Sequence, residues 1–208
     1  INIHEKETQA KTSSAWDDIL NFQNQLSDEE QILQSSVKSY CRDKLLPRIV
    51  SDNRNENFDR SIFTEMGKLG ILGSYFNGYG CAGSNFVSYG LIAREIERID
   101  SAYRSIMSVQ TSLVMLPIYK FGSEDQKQEY LPRLASGELI GCFGLTEPDA
   151  GSDPSSMKTN AVKVKGGYVI NGTKTWISNA PHADVAIVWA KDESGKIKGF
   201  IIDRDSEG

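Results

Sequence analysis

The densest concentration of hydrogen-bonding and ionisable groups lies between Gly141 and Pro154. Gly141-Cys142-Phe143-Gly144-Leu145-Thr146-Glu147-Pro148-Asp149-Ala150-Gly151-Ser152-Asp153-Pro154 holds three glycines, two prolines, two hydroxyls and three acids. Such a loop offers backbone N–H groups and hydroxyls with little side-chain bulk. That suits a flat heterocycle whose carbonyls and ring nitrogens need donors. The same composition also describes a plain linker between domains. Trp176-Ile177-Ser178-Asn179 sets an indole beside a hydroxyl and an amide. The indole could wall the same ligand, or be a half-buried strand residue. Arg104 stands beside Tyr103 and Ser105 at the start of a largely apolar helix. A guanidinium there can grip a carboxylate through two parallel N–H bonds, or pair with Glu97 or Asp100.

Other motifs are weaker. Gly78-Tyr79-Gly80-Cys81-Ala82-Gly83 spells G-x-G-x-x-G ahead of a helix, the pattern of a dinucleotide phosphate loop. That loop needs a buried strand before it and an acid-tipped second strand about 20 residues on. Glu95, Glu97 and Asp100 fall in that window, but within or at the end of a periodic helix. The segment therefore reads as a glycine-rich loop between helices. His4 and His182 sit in a polar arm and a loop, and there is no C-x-x-C, so no zinc site is expected. Asn171-Gly172-Thr173 fits a glycosylation sequon but reads as a hairpin turn.

The elements that must carry these groups follow from periodicity and capping. Residues 1–15 are polar and aperiodic and read as a loose arm; Trp16 to Phe22 reads as a short helix. Ser27 followed by Glu30 is a capping box, and Leu33, Val37, Tyr40 and Leu45 recur behind it at helical spacing. Pro47 is expected to end that helix, and Ser51 to Asn57 to connect it to the next. Asp59 opens a helix carrying Ile62, Phe63, Met66 and Leu69, stopped at Gly70. Val87, Leu91, Ile92, Ile96 and Ile99 stripe another. A further one runs from Asp100 to Pro117. Ser123 and Gln126 form a second capping box before Tyr130, Leu131 and Leu134. Beyond residue 139 the pattern changes to strands at 160–165, 168–170, Thr173 to Ser178, Asp184 to Ala190 and Ile197 to Asp203. The order of helices and then antiparallel strands predicts an α+β chain: an arm over 1–15, a helical domain over 16–139 and a β-domain over 140–208.

Composition narrows the classes. The 208 residues carry 23 Lys+Arg against 28 Asp+Glu, a net charge of −5 without a basic cluster, which argues against nucleic-acid binding. The longest apolar run, Val185 to Ala190, is far short of the about 20 residues a membrane span needs. Cys41, Cys81 and Cys142 are odd in number and widely spaced, which speaks against a disulfide framework and for a reducing compartment.

Leu145-Thr146-Glu147-Pro148-Asp149-Ala150-Gly151-Ser152-Asp153, together with Asn171-Gly172-Thr173-Lys174-Thr175-Trp176-Ile177-Ser178-Asn179, resembles the acyl-CoA dehydrogenase family. Tyr103-Arg104-Ser105-Ile106-Met107-Ser108-Val109-Gln110, Gly122-Ser123-Glu124-Asp125-Gln126 and Asp153-Pro154-Ser155-Ser156-Met157 are most similar to its glutaryl-CoA dehydrogenase members. Asp149-Ala150 departs from the Asn-Ser of some of those members. The resemblance implies a helical domain, a middle β-domain and a C-terminal helical bundle, of which the third is not among these residues. It implies FAD lined by Phe143, Gly144, Leu145, Thr146, Gly151 and Ser152, with Trp176, Ile177 and Ser178 against the ring. Leu145 and Thr146 would donate to its pyrimidine edge. Substrate would be met by Ser152, by Arg104 and Ser105 at a distal carboxylate, and by Glu97 in the same polar network.

The implied reaction is oxidation of glutaryl-CoA, begun by a carboxylate base at the α-carbon and followed by decarboxylation to crotonyl-CoA and CO2. Electrons would pass to an electron-transferring flavoprotein, in a homotetramer of the bacterial cytoplasm or the mitochondrial matrix. The family's base is a Glu of the C-terminal bundle. No residue here matches it, so these residues alone are expected to be inactive. The alternatives are a short- or branched-chain acyl-CoA dehydrogenase without decarboxylation, and a non-catalytic piece of such an enzyme.

Overall fold

The structure, a computed structural model, describes residues 19–207. The expected arm over 1–15 lies outside the described residues, as does the start of the expected Trp16 to Phe22 helix. Of that segment's described residues, 19–21 are not helical, and Phe22 opens a 3₁₀ turn, Phe22–Gln25.

Helices come first: α1 Asp28–Tyr40, α2 Leu46–Arg54, α3 Ser61–Lys68, α4 Phe86–Glu97, α5 Ser101–Ser108, α6 Leu116–Phe121 and α7 Glu124–Ala135. Both capping boxes form. The Ser27 hydroxyl accepts from the Glu30 N–H (3.3 Å), and the Glu30 carboxylate accepts from the Ser27 N–H (2.9 Å). Ser123 and Gln126 repeat the exchange at α7. The Asp100 carboxylate caps α5 through the Ala102 N–H. Each cap satisfies N–H groups that a helix start leaves without partners.

The two prolines expected to stop helices do not. From α1 the chain runs through a π-helical turn, Cys41–Leu45, into α2, and from α5 through a second, Val109–Met115, into α6. A proline clashes with the carbonyl four residues before it. For Pro47 and Pro117 those carbonyls belong to Asp43 and Leu113, and both lie in the widened turns. The i→i+5 ladder re-aims them, so each helix passes its proline. Residues 51–54, expected to be connection, are therefore helical. The 78–83 segment does lie in a loop between α3 and α4, with no strand before it among the described residues.

The sheet is mixed where an antiparallel one was expected. β4 (Val185–Lys191) is its centre. It runs parallel to β1 (Gly141–Gly144) and antiparallel to β5 (Ile197–Asp203), and meets β2 (Asn160–Val164) at Asn160↔Lys191. β2 and β3 (Gly167–Asn171) form a hairpin whose turn is at Gly166 (φ +92°). That turn falls where the Gly166-Gly167 pair predicts it, whereas the second hairpin expected at Asn171-Gly172 does not form: the dipeptide ends β3 and no strand pairs back from it. Thr173 to Ser178 is not a strand. β1 was missed in the sequence because its glycines hide it among loop residues.

Two apolar clusters hold the chain. Val37, Leu45, Phe63, Met66, Ile92, Ile96 and Met107 fill the helical part, with Ile140 at its edge. The second joins the two parts: Met115, Ile118, Leu131 and Leu134 pack with Val185 and Ile187 of β4. Polar contacts cross the same boundary. The Tyr130 hydroxyl donates to Asp203 (3.1 Å). The Arg60 guanidinium meets Asp184 and donates to the His182 and Glu138 carbonyls. The Phe58 ring stacks on His182 at 3.9 Å.

Gly137 marks the tightest approach. Its φ is +74°, and a Cβ there would lie 2.1 Å from the Phe63 carbonyl oxygen. Backbone atoms cannot yield as a side chain can. Gly137→Ala is expected to cost about 2–4 kcal/mol through the strained φ and the clash together, read as a fall in the thermal midpoint. An unchanged midpoint would contradict this packing.

Candidate functional site

β1 delivers the chain into the donor-rich loop. Its Phe143 is half-buried, with the ring packed edge-on against Trp189 (centroids 5.9 Å apart). Leu145 and Thr146 are half-buried, and Gly151 and Ser152 are exposed. The Glu147 and Ala150 backbones exchange hydrogen bonds (3.1 and 3.2 Å), which closes the loop on itself.

Glu147 is the hub. It is 5 % exposed, a costly place for a carboxylate without partners. Its oxygens accept from the Lys158 N–H (2.6 Å), the Thr159 N–H (2.9 Å), the Thr159 hydroxyl and the Lys174 ammonium (2.9 Å). Lys174 also donates to the Leu145 carbonyl (2.9 Å), and the Thr175 N–H to the Thr146 carbonyl (3.0 Å). Three segments, 145–147, 158–159 and 174–175, are thereby folded onto one another. Gly172 lets the third approach: a Cβ on it would sit 2.1 Å from the Thr159 hydroxyl oxygen. This close approach is the use of the Asn171-Gly172 dipeptide.

Burial alone would raise the Glu147 pKa. The Lys158 N–H, the Thr159 hydroxyl, Lys174 and the Thr159 N–H outweigh it and hold the carboxyl down at about 2, against an ordinary 4.5. A folded pKa below the unfolded one adds stability that is complete above 4.5 and fades as pH falls towards 2. The urea midpoint of the protein is therefore expected to fall more steeply between pH 4.5 and 2 than that of Glu147→Gln. Parallel profiles would remove the role given to this carboxylate.

Trp176 is 91 % exposed with φ +58°. The half-buried strand reading is thus overturned: the positive φ breaks the pleat and turns the indole outward. Ile177 is half-buried and Ser178 exposed. The Asn179 side-chain amide donates to the Gly141 carbonyl (3.1 Å), tying the end of this segment back to β1. Among the described residues the hydroxyls of Thr146, Ser152 and Ser178 have no protein partner. Free hydroxyls beside an open loop and a bare indole form a donor set that fits a flat heteroaromatic ring.

A second group sits on α4 and α5. Arg104 Nε donates to Glu97 (2.7 Å), and a terminal nitrogen donates to the Ser108 hydroxyl (3.1 Å). The Ser101 hydroxyl donates to the other Glu97 oxygen (2.5 Å). Ser101 first, and Arg104 after it, hold the Glu97 carboxyl below its ordinary range. Ser105 lends its backbone carbonyl, to Ser108. Arg104 and Glu97 are 37 % and 45 % exposed, so this is an ion pair open to solvent. Three of the five guanidinium N–H groups remain for another acceptor.

Sequence reasoning nominated neither Glu147 nor Lys174 as a binding residue. A pair 27 positions apart leaves no local signal. It also missed Gln110, which is fully buried; an amide within an apolar helical stretch was the available clue. No group of acids, cysteines and histidines among the described residues could hold a metal ion, and none of their helices is long and apolar enough to cross a membrane.

A helical domain sharing its core with a mixed sheet, and three loop segments pinned together by Glu147 and Lys174, define a two-part α+β chain. The models of the acyl-CoA dehydrogenase N-terminal and middle domains match residues 27–138 and 142–208. The chain belongs to the acyl-CoA dehydrogenase family.

A glutaryl-CoA dehydrogenase of Mycobacterium smegmatis, solved in complex with FADH2, is 44 % identical with a TM-score of 0.88, over 91 % of this chain and 49 % of that one. Butyryl-CoA dehydrogenase of Megasphaera elsdenii is 35 % identical with a TM-score of 0.83, over 88 % of this chain and 50 % of that one. A mitochondrial isovaleryl-CoA dehydrogenase of Pongo abelii is 36 % identical over 194 residues, 89 % of this chain and 46 % of that protein. The chain spans about half the length of the relatives it matches.

Proposed function

We propose that this chain forms the FAD- and acyl-CoA-binding half of a glutaryl-CoA dehydrogenase. That enzyme releases crotonyl-CoA and CO2 and passes its electrons to an electron-transferring flavoprotein. The carrying observation is Arg104, fixed by Glu97 and Ser108 with three N–H groups to spare. A simple fatty acyl chain has no charge for such a group to meet, whereas the distal carboxylate of glutaryl-CoA matches it in charge and fork geometry.

Bound FAD supplies the two-electron acceptor. Gly144, Leu145, Thr146, Gly151 and Ser152 would hold it through backbone groups and hydroxyls, and Trp176, Ile177 and Ser178 would wall it. The Glu147–Lys174 pair keeps those two segments together before any ligand arrives, so little ordering remains to be done on binding. Arg104 and Ser105 orient the far end of the acyl chain. The base that takes the α-proton belongs to the half of the enzyme outside this chain, and the assembly is a homotetramer.

A second reading, a short- or branched-chain dehydrogenase without decarboxylation, is favoured by one observation. Glu97 already neutralises Arg104, so no substrate carboxylate is required. Full-length protein incubated with carboxyl-labelled glutaryl-CoA separates the two. Labelled CO2 with flavin bleaching is the expected result; bleaching by butyryl-CoA without CO2 from glutaryl-CoA selects the second reading.

A further inference from the structure

Gln110 has no place in the site so far, yet it is the most completely engaged polar side chain between the two groups. It is fully buried in the π-helical turn Val109–Met115. Its amide nitrogen donates to the Leu134 carbonyl (3.0 Å) and the Leu139 carbonyl (2.8 Å). Its oxygen accepts from the Gly141 N–H (2.8 Å), the first residue of β1. Every strong hydrogen-bonding site of the NH2 group is used, and the contacts tie this turn to the end of α7 and the head of β1. Val114 of the same turn packs on Gly141 so closely that a Cβ there would lie 2.4 Å from its methyl group. Thr111, also buried, accepts the Gly73 N–H (3.1 Å).

The turn therefore has a fixed place between two working parts. Arg104 lies six residues before Gln110 on the same continuous helix. Leu145 and Thr146 lie four and five residues after Gly141 on the same strand and its exit. We infer that Gln110 is a positioning residue that sets the separation between the Arg104 group and the loop from Leu145 to Ser152. This rests on the reading proposed above.

The consequence differs between substrates. A dicarboxylic acyl chain would be held at both ends, by Arg104 at one and by the loop side at the other. A change in the separation then strains it directly. A monocarboxylic acyl chain is held at one end and can slide to follow the change. A merely structural role for Gln110 would weaken both substrates alike.

The test uses full-length protein carrying Gln110→Met, which keeps the volume and loses all three hydrogen bonds. Ile92→Val, in the other apolar cluster, serves as a mildly destabilised control. Two quantities are read: the glutaryl-CoA to butyryl-CoA ratio of kcat/KM, and the ratio of their dissociation constants on cofactor-free protein by calorimetry. Gln110→Met is expected to lower both preferences for glutaryl-CoA about tenfold, with no change in Ile92→Val. Where Gln110→Met does not fold, Gln110→His, which keeps one donor and one acceptor, gives a smaller shift in the same direction. Equal losses for both substrates, or no loss, overturn the inference. A wild type that shows no preference between the two substrates overturns the proposed function and this inference with it.

Discussion

Lys174→Met is expected to destabilise the protein by about 3 kcal/mol. The ammonium and the Glu147 carboxylate are 12 % and 5 % exposed. Removing one partner of a buried pair costs about 3–5 kcal/mol, because the remaining charge stays buried without its counter-ion. Here the Lys158 N–H, the Thr159 N–H and the Thr159 hydroxyl still serve Glu147, which places the cost at the lower end. For a chain of this size that is a fall in the thermal midpoint of about 6–12 °C. The pair Glu147→Gln with Lys174→Met removes both charges and is expected to recover part of the loss. A single Lys174→Met that unfolds within 1 °C of the parent protein would show that the pair does not hold these loops. The loss should also reach the ligand, since the freed Leu145 carbonyl and Thr175 segment leave the rim unpinned; weaker FAD retention by the variant is the accompanying sign.

Arg104→Gln is expected to lower kcat/KM for glutaryl-CoA on the order of 10²- to 10³-fold. Truncating one member of a buried charge pair in a complex costs about 2–5 kcal/mol, much of it from the charge left behind. In the proposed complex that charge is the distal carboxylate of the substrate. Glu97 would also lose its partner, but at 45 % exposure water replaces the guanidinium, and an exposed pair of this kind carries little stability of its own. Butyryl-CoA makes no such contact, and its kcat/KM should stay within about threefold, the scale of a change of about 0.7 kcal/mol. Parallel losses on both substrates would assign Arg104 to the fold and remove the glutaryl-CoA reading. The thermal midpoint, measured alongside, should barely move.

What the residues disclosed depended on how far each interaction reaches along the chain. Ser27 with Glu30 and Ser123 with Gln126 act across three positions, and both were visible as spacing. Pro47 and Pro117 misled because the rule that proline ends a helix assumes a regular ladder upstream, and here the turn before each proline is widened. β1 was hidden because Gly141 is small for the sake of Val114, a contact with another element. Thr173 to Ser178 has the composition of a strand, but the reach of Lys174 to Glu147 and the positive φ of Trp176 defeat the pleat. The site followed the same division. The loop from Gly141 to Pro154 and the Trp176 segment announce themselves by composition, and the likeness to a family gives them a purpose. That Lys174 and Glu147 bind these segments together, and that Gln110 ties α5 to β1, depends on pairs 27 and 31 residues apart.

The apolar cluster shared by α6, α7 and β4 leaves no seam between the helical part and the sheet. Leu131 and Leu134 would have to part from Val185 and Ile187, exposing core to water, before the two could swing about a hinge. Domain closure is thus the wrong picture for this chain. A ligand meets an open rim on a platform already assembled, which leaves only short surface segments, the exposed stretch around Gly151 to Asp153 and the turn that carries Trp176, to adjust around it.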